Sequence, residues 1–243
     1  MHIPDGYLNG QTCWLTNLVS GGIILGALSK IKDIKDNQKI VYYSLMGALI
    51  FALQMLNFPI GNGASGHFLG GTLAYLVAGP WLGSLMISMV LAIQAFFFND
   101  GGIFALGANI LAMGIVGVWV PFFLKKAFPK LNKYLGVALA SWTSVVAAAF
   151  TCSVLLAISG TVALNQVLGA MLGAHAIIGV GEVFITFGAY VIFVENQALL
   201  KINLWAQQKS VLVSLVLTII ILAVCVSPFA SSFPDGLEKV LQI

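Results

Sequence analysis

Charged residues are scarce in this chain. Asp, Glu, Lys and Arg together make up 8% of the 243 residues, whereas a typical soluble domain has about 25%. Hydrophobic residues make up 60%, and the mean hydropathy is +1.01. Too little polar surface remains to cover a water-facing globule, so the composition excludes a soluble protein. Long apolar runs favour membrane-spanning helices over a β-barrel, whose strands alternate polar and apolar residues.

Arginine is absent altogether. All 11 basic residues are lysines, and the formal net charge is only +3. They lie in short clusters between apolar runs, which is typical of loops on the cytoplasmic side of a membrane. A nucleic-acid partner is therefore not expected, and the guanidinium fork that usually grips carboxylates and phosphates is missing.

Cysteine pairs and common catalytic motifs are missing as well. The dispersed cysteines Cys13, Cys152 and Cys225 argue against a disulfide framework or a cysteine zinc site. No Gly-Lys dipeptide occurs, so the chain has no P-loop, and neither HExxH nor GxSxG is present. We expect no enzymatic activity; if ATP drives the protein, another subunit hydrolyses it. The start also lacks the regions of a signal peptide, which predicts that Met1 remains in the mature protein.

The chain does contain eight apolar segments, at 12–29, 40–57, 66–78, 80–98, 104–124, 136–159, 166–194 and 210–226. Lysines cluster after the first, fifth and seventh of them. If these clusters are cytoplasmic, the chain crosses an odd number of times between residues 65 and 125, so the segments on both sides of Gly79-Pro80 count as spans. The prediction is an all-α polytopic membrane bundle of about eight helices, with both termini outside.

The amino terminus suggests a metal site. The Met1 amine, the His2 amide nitrogen and the His2 imidazole Nδ1 can chelate one metal through a five-membered and a six-membered ring. His67 follows a glycine-rich loop on the same predicted side and supplies a fourth nitrogen. Four nitrogens in a square plane favour Ni(II) or Cu(II) over zinc, calcium or magnesium. The alternatives are a frayed terminus for His2 and a helix-start histidine that satisfies backbone groups for His67.

A second polar pair lies in the seventh apolar segment. His175 and Glu182 are seven residues apart, so they share one face of a helix. We expect a buried hydrogen-bonded pair between helices, with a second metal site as the alternative. Ionisable groups at membrane depth are candidates for a transport pathway.

Three of these pieces together resemble a known family. The start Met1–Gly6, the loop ending Ser65-Gly66-His67 and the stretch His175–Glu182 are similar to the nickel/cobalt substrate-capture component of energy-coupling-factor transporters. The likeness runs from Met1 to about Leu200. The tail motif Pro-Asp-Gly-Leu-Glu, at 234–238, resembles the small accessory component of those systems.

The resemblance implies a fold, a site and partners. Residues 1–200 would form the capture domain, which consists of a six-helix core (segments two to seven) and an added first helix. Residues 201–243 would form a linker, a final helix and the accessory-like tail. The transported ion, Ni(II) or Co(II), would bind Met1, His2 and His67, with no organic cofactor. The expected supporting or pathway residues are Asp5, Ser65, Asn109, His175 and Glu182.

The resemblance also implies that the protein works in a complex in a prokaryotic plasma membrane. A transmembrane coupling subunit would dock on the small-residue stripe Ala48/Ala52, with internal helix packing as the alternative, and two ATPase subunits would drive transport. Two other functions stay open. One is a stand-alone secondary transporter that uses His175, Glu182 and Asp100 along its path. The other is an intramembrane metalloenzyme or electron carrier, which a metal plane filled by protein nitrogens disfavours.

Overall fold

The computed structural model describes residues 1–31, 37–61, 64–195 and 233–241. Its elements are α1 Gly10–Lys30, α2 Asn37–Gln54, β1 Asn57–Gly61, β2 Ala64–His67, α3 Gly71–Phe97, α4 Leu106–Ala127, α5 Lys133–Ile158, α6 Leu164–Glu195 and α7 Gly236–Leu241. Five of these helices (α1, α3, α4, α5 and α6) are long and apolar enough to cross a membrane. The predicted α-helical membrane bundle is confirmed. The predicted linker at 201–209 and the last apolar segment at 210–226 lie outside the described residues.

Two of the long helices begin at an asparagine that caps their backbone. The Asn9 side chain accepts a hydrogen bond from Thr12 N at 2.8 Å and starts α1, and Asn132 does the same for α5. Inside the bundle, hydroxyl groups such as those of Thr16 and Ser141 donate to the carbonyl four residues earlier. Polar side chains are thereby satisfied within one helix, as an apolar environment requires.

Helix α3 is interrupted where the sequence separates its third and fourth apolar segments. Gly79 has φ 74° and ψ −179°, and Pro80 follows it. A Cβ on Gly83 would lie 2.9 Å from the carbonyl oxygen of Ala74, although nine residues of straight helix span about 13 Å. The chain therefore reverses at Gly79-Pro80 into two packed arms.

The first arm of α3, residues 71–78, is too short to cross a bilayer by itself, since a span needs about 20 residues. Residues 66–70 of the predicted third segment belong instead to β2 and the connection that follows it. The turn at Gly79-Pro80 agrees with the prediction that the third and fourth apolar segments run in opposite directions. The total of eight spans stays a prediction.

The two ends of the bundle have different chemistry. At one end the amino terminus, the β1–β2 hairpin and the 98–105 loop meet, and Asn9 contacts Ser159 at the end of α5. Lys30 and Lys125 lie in the last turns of α1 and α4, which run in the same direction. Lysines thus gather at the end away from the amino terminus, the distribution that the positive-inside rule gives to a cytoplasmic face.

This asymmetry generates a test of sidedness. A cysteine at Lys130, in the exposed turn before α5, should react with a membrane-impermeant maleimide only from the cytoplasm. A cysteine at Ile103, which is exposed in the opposite loop, should react only from outside. Labelling of intact cells and of inverted vesicles measures this, with the parent chain as background. Reaction of both positions from the same side would contradict the arrangement.

Candidate metal centre

The first three residues are threaded into the bundle. Met1, His2 and Ile3 are 1%, 6% and 0% exposed. The Asn109 side chain clamps the Ile3 backbone: Oδ1 accepts from Ile3 N at 2.8 Å, and Nδ2 donates to Ile3 O at 3.1 Å. Gly102 N also donates to Ile3 O, at 2.9 Å. The terminus is therefore fixed by its backbone, and the alternative of a frayed end for His2 is excluded in this structure.

The loop after α3 can approach the terminus because it carries two glycines. Gly101 has φ +90°, and a Cβ on Gly102 would lie 2.1 Å from the Asp5 carboxylate. That carboxylate accepts hydrogen bonds from the backbone N–H groups of residues 103, 104 and 105, at 2.9, 2.9 and 3.1 Å. Asp5, expected as a supporting residue, thus ties the loop to the amino-terminal segment.

His67 ends the short hairpin and is only 4% exposed. Downstream of it, the Glu182 carboxylate accepts from the N–H groups of Leu69 and Gly70, both at 2.8 Å, and holds the chain against α6. His67 Nδ1 lies 3.0 Å from the carbonyl oxygen of Phe68. We assign the proton to Nδ1, since a carbonyl can only accept, which leaves the Nε2 lone pair facing the terminus.

Burial, then the charge of the nearby amino terminus, lowers the pKa of His67 to about 3. The imidazole is therefore neutral at physiological pH and its Nε2 can act as a ligand.

The Met1 amine lies at the centre of this arrangement. It is 2.5 Å from His67 Nε2 and 2.5 Å from Asp235 Oδ2. Two nitrogens bound at right angles to one metal at about 2.1 Å would be about 3 Å apart, so the Met1 amine and His67 Nε2 are within about 0.5 Å of the spacing of two ligands on one metal. Burial alone would raise the pKa of Asp235, but the charge of the Met1 amine and its hydrogen bond outweigh burial and hold the pKa below its usual range.

His2 lies beside His67, with one difference from the expected arrangement. Its ring is nearly parallel to that of His67, with centroids 5.0 Å apart and 7° between the planes. Its Nδ1, the nitrogen expected to chelate, lies 2.9 Å from Asp100 Oδ1, and its Nε2 is buried without a hydrogen-bond partner. Burial acts to raise the pKa of Asp100, but the hydrogen bond from His2 lowers it to about 2.

His175 and Glu182 do not form the predicted pair. His175 Nδ1 binds the carbonyl of Met171 on its own helix at 2.8 Å, while Glu182 is engaged by the two backbone N–H groups after His67. Both side chains are buried. Glu182 therefore positions the His67 segment, because its two oxygens face backbone donors of another element rather than the neighbouring turn of α6.

The structure brings most of the expected residues to one place. Met1, His2 and His67 meet, with Asp5 and Asn109 around them and Ser65 two residues from His67. Among the described residues, no group of three or more His, Cys, Asp or Glu side chains is placed to hold a metal, so a centre here depends on the terminal amine. From the sequence alone, Asp235 was only part of the tail motif, and its contact with the Met1 amine was missed. Asp100 also had no role at His2, although the Asp-Gly-Gly run at 100–102 was a signal for a polar loop beside the site.

Comparisons with known proteins agree on one family. Residues 2–200 match the family described as "CbiM: Cobalt uptake substrate-specific transmembrane region". The chain is 34% identical over 232 residues to a putative fused nickel transport protein NikMN of Archaeoglobus fulgidus, covering 94% of this chain and 75% of that one. It is 33% identical over 207 residues to the cobalt transport protein CbiM of Acetoanaerobium sticklandii, covering 81% and 86%.

A solved structure has the same fold. The crystal structure described as a truncated transition metal transporter superposes with a TM-score of 0.73 at 31% identity and covers 81% of this chain and 99% of that one.

The clamp on Ile3 predicts a local effect of Asn109→Ala. The substitution leaves a buried N–H and C=O of Ile3 with fewer partners, at a cost of about 1–3 kcal/mol. Hydrogen exchange of residues 1–8 should accelerate. Asn17→Ala is the matched control, because Asn17 makes two similar bonds to the backbone of Phe104 and Gly107 without contacting the terminus. Equal exchange in both variants would show that Asn109 does not hold the amino terminus.

Proposed function

The chain belongs to the family of cobalt-uptake substrate-specific transmembrane regions, and from this membership we propose that it captures Ni(II) or Co(II) and passes the ion to an ATP-driven energy-coupling-factor complex. It is a multi-pass membrane protein of a transporter family rather than an enzyme. The observation that carries the proposal is the buried Met1 amine, 2.5 Å from the Nε2 lone pair of His67. We place the amino terminus outside, in the plasma membrane of a prokaryote.

The proposed centre is a four-nitrogen plane. The Met1 amine, the His2 amide nitrogen and His2 Nδ1 close two adjoining chelate rings, and His67 Nε2 takes the fourth position. Binding releases one proton from the ammonium group and one from the amide as one divalent cation enters, so the net charge of the centre is unchanged. A plane of four nitrogen ligands suits late transition metals.

Capture requires one exchange at His2. Its Nδ1–H leaves Asp100, the proton moves to Nε2, which is buried without a hydrogen-bond partner, and the freed Nδ1 lone pair turns to the metal. This proton shift within the ring does not change the charge of the imidazole. Of the two carboxylates that contact the expected ligands, Asp100 is the more accessible, with a side chain that is 33% exposed against 13% for Asp235. It is therefore placed to meet an incoming hydrated cation before the nitrogens do.

Two other functions are less well supported. A secondary transporter would use His175 and Glu182 as a path, but both side chains are occupied by backbone hydrogen bonds. An enzyme or electron carrier is not supported by the family, whose named members are transport proteins.

We propose that the coupling subunit docks beside Ala48 and Ala52 on α2. Ala48 is exposed and Ala52 is partly buried. Ala48 lines an apolar groove between α2 and the second arm of α3, together with Gly47, Phe51 and Met89. Small residues four apart allow the backbone of a partner helix to approach closely.

The free amine provides the sharpest test of the centre. One residue added before Met1 converts the amine into a peptide amide and moves the true amine out of the chelate. We expect nickel retained after dialysis to fall at least about tenfold, whereas the same residue added after Ile243 should have no effect. Equal nickel in both extended proteins would show that the amine is not a ligand.

The docking stripe is tested by Ala48→Leu with Ala52→Leu. The larger side chains should keep nickel binding unchanged and reduce uptake in cells that also contain the coupling and ATPase subunits. Gly169→Leu is a control, because that position on α6 is exposed and a Cβ there meets no atom within 4 Å. Normal uptake by the double variant, or loss of nickel binding, would place the docking surface elsewhere.

A further inference from the structure

The segment Phe233–Leu241 is docked on the metal centre. Ser65 N donates to the carbonyl of Pro234 at 2.8 Å, and Ser65 Oγ donates to the carbonyl of Phe233 at 2.7 Å. Ser65 and Asp235 form a parallel β-bridge, so the segment extends the edge of the hairpin that carries His67. This explains why Ser65 is fully buried although it lies on a two-stranded hairpin.

Apolar packing anchors the segment on α6. Leu237 is 0% exposed and belongs to the same hydrophobic core as Met1 and Ile178. At Gly236, a Cβ would lie 3.1 Å from His175 Cε1, so the backbone rests directly on that histidine. The buried Leu237 side chain and the close approach of the Gly236 backbone to His175 together hold the segment against α6.

The two oxygens of Asp235 have separate partners. Oδ1 accepts from Glu238 N at 2.7 Å, while Glu238 Oε2 accepts from Asp235 N at 2.9 Å, which is the reciprocal capping box of a helix start. Oδ2 is left for the Met1 amine at 2.5 Å, and it lies 3.9 Å from His67 Nε2. The capping box fixes the carboxylate, and the fixed carboxylate points its second oxygen at the amine.

We propose that the segment Phe233–Leu241 is a built-in cap of the metal centre, and that Asp235 is a positioning residue that holds the Met1 amine beside His67. This inference rests on the proposed function. The amine otherwise belongs to a chain end with several rotatable bonds, and binding a metal would require ordering it. A partner that orders the donor in advance raises affinity by removing that entropic cost.

The cap does not compete with the metal through its charge. Capture exchanges two protons for one divalent cation, so the centre facing Asp235 carries the same net charge before and after binding. A buried carboxylate therefore compensates the empty centre and the loaded one alike. The expected effect of Asp235 is slower loss of metal and a shielded amine, rather than inhibition of capture.

The test uses the purified full-length protein and two measurements. The first is the rate at which an N-hydroxysuccinimide ester acylates the Met1 amine in metal-free protein, followed by mass spectrometry. The second is the rate at which an excess of chelator removes Ni(II). In Asp235→Asn both rates should rise about tenfold to a hundredfold, the range for loss of one charge-assisted hydrogen bond. Glu238→Gln keeps the Asp235 carboxylate and should change both rates by less than about threefold.

A second variant guards against a folding artefact. Leu237→Ser removes the buried anchor without touching any ligand and should also raise both rates, while the melting temperature of the metal-free protein reports on the fold. Unchanged rates in both Asp235→Asn and Leu237→Ser, or slower nickel loss in Asp235→Asn, would overturn the cap.

His67→Ala separates this failure from failure of the proposed function. If His67→Ala still retains nickel as the parent does, the metal centre itself is wrong. If His67→Ala loses nickel while the two cap variants behave like the parent, the centre stands and the cap alone is rejected.

Discussion

The structure depends on one buried positive group, the Met1 amine, held inside an apolar bundle. A buried ammonium without a partner would cost several kcal/mol, so its surroundings must supply both a charge and a hydrogen-bond acceptor. Asp235 supplies the charge and His67 the acceptor, each at 2.5 Å. The first three residues can be buried because the groups that compensate them arrive from two other parts of the chain.

Three backbone segments around the amine are each held by a polar side chain. Glu182 fixes the backbone after His67, Asn109 fixes Ile3, and Asp5 fixes the loop that carries Asp100. These contacts join side chains to backbone groups in places where the chain is not helical. In an apolar environment such backbone groups need partners, and the few polar residues of the sequence are used for that purpose.

Composition, apolar segments and lysine clusters were enough to predict a helical membrane bundle with its polar site at the lysine-poor end. The amino-terminal chelate could be proposed because ring sizes follow directly from the order of Met1 and His2. The turn at Gly79-Pro80 was visible as a break. The role of Glu182 was not predictable, since helical spacing pairs it with His175 and gives no information about a hairpin 113 residues away. Asp235 was missed for the same reason: its partner lies at the other end of the chain.

X-ray absorption at the nickel edge of the loaded full-length protein tests the central claim most directly. The account predicts a four-coordinate planar ion with nitrogen ligands only, of which two are imidazoles, and a diamagnetic Ni(II) centre. A six-coordinate ion with oxygen ligands would contradict it, because the ion would then be held by carboxylates and water rather than by the amino terminus and His67.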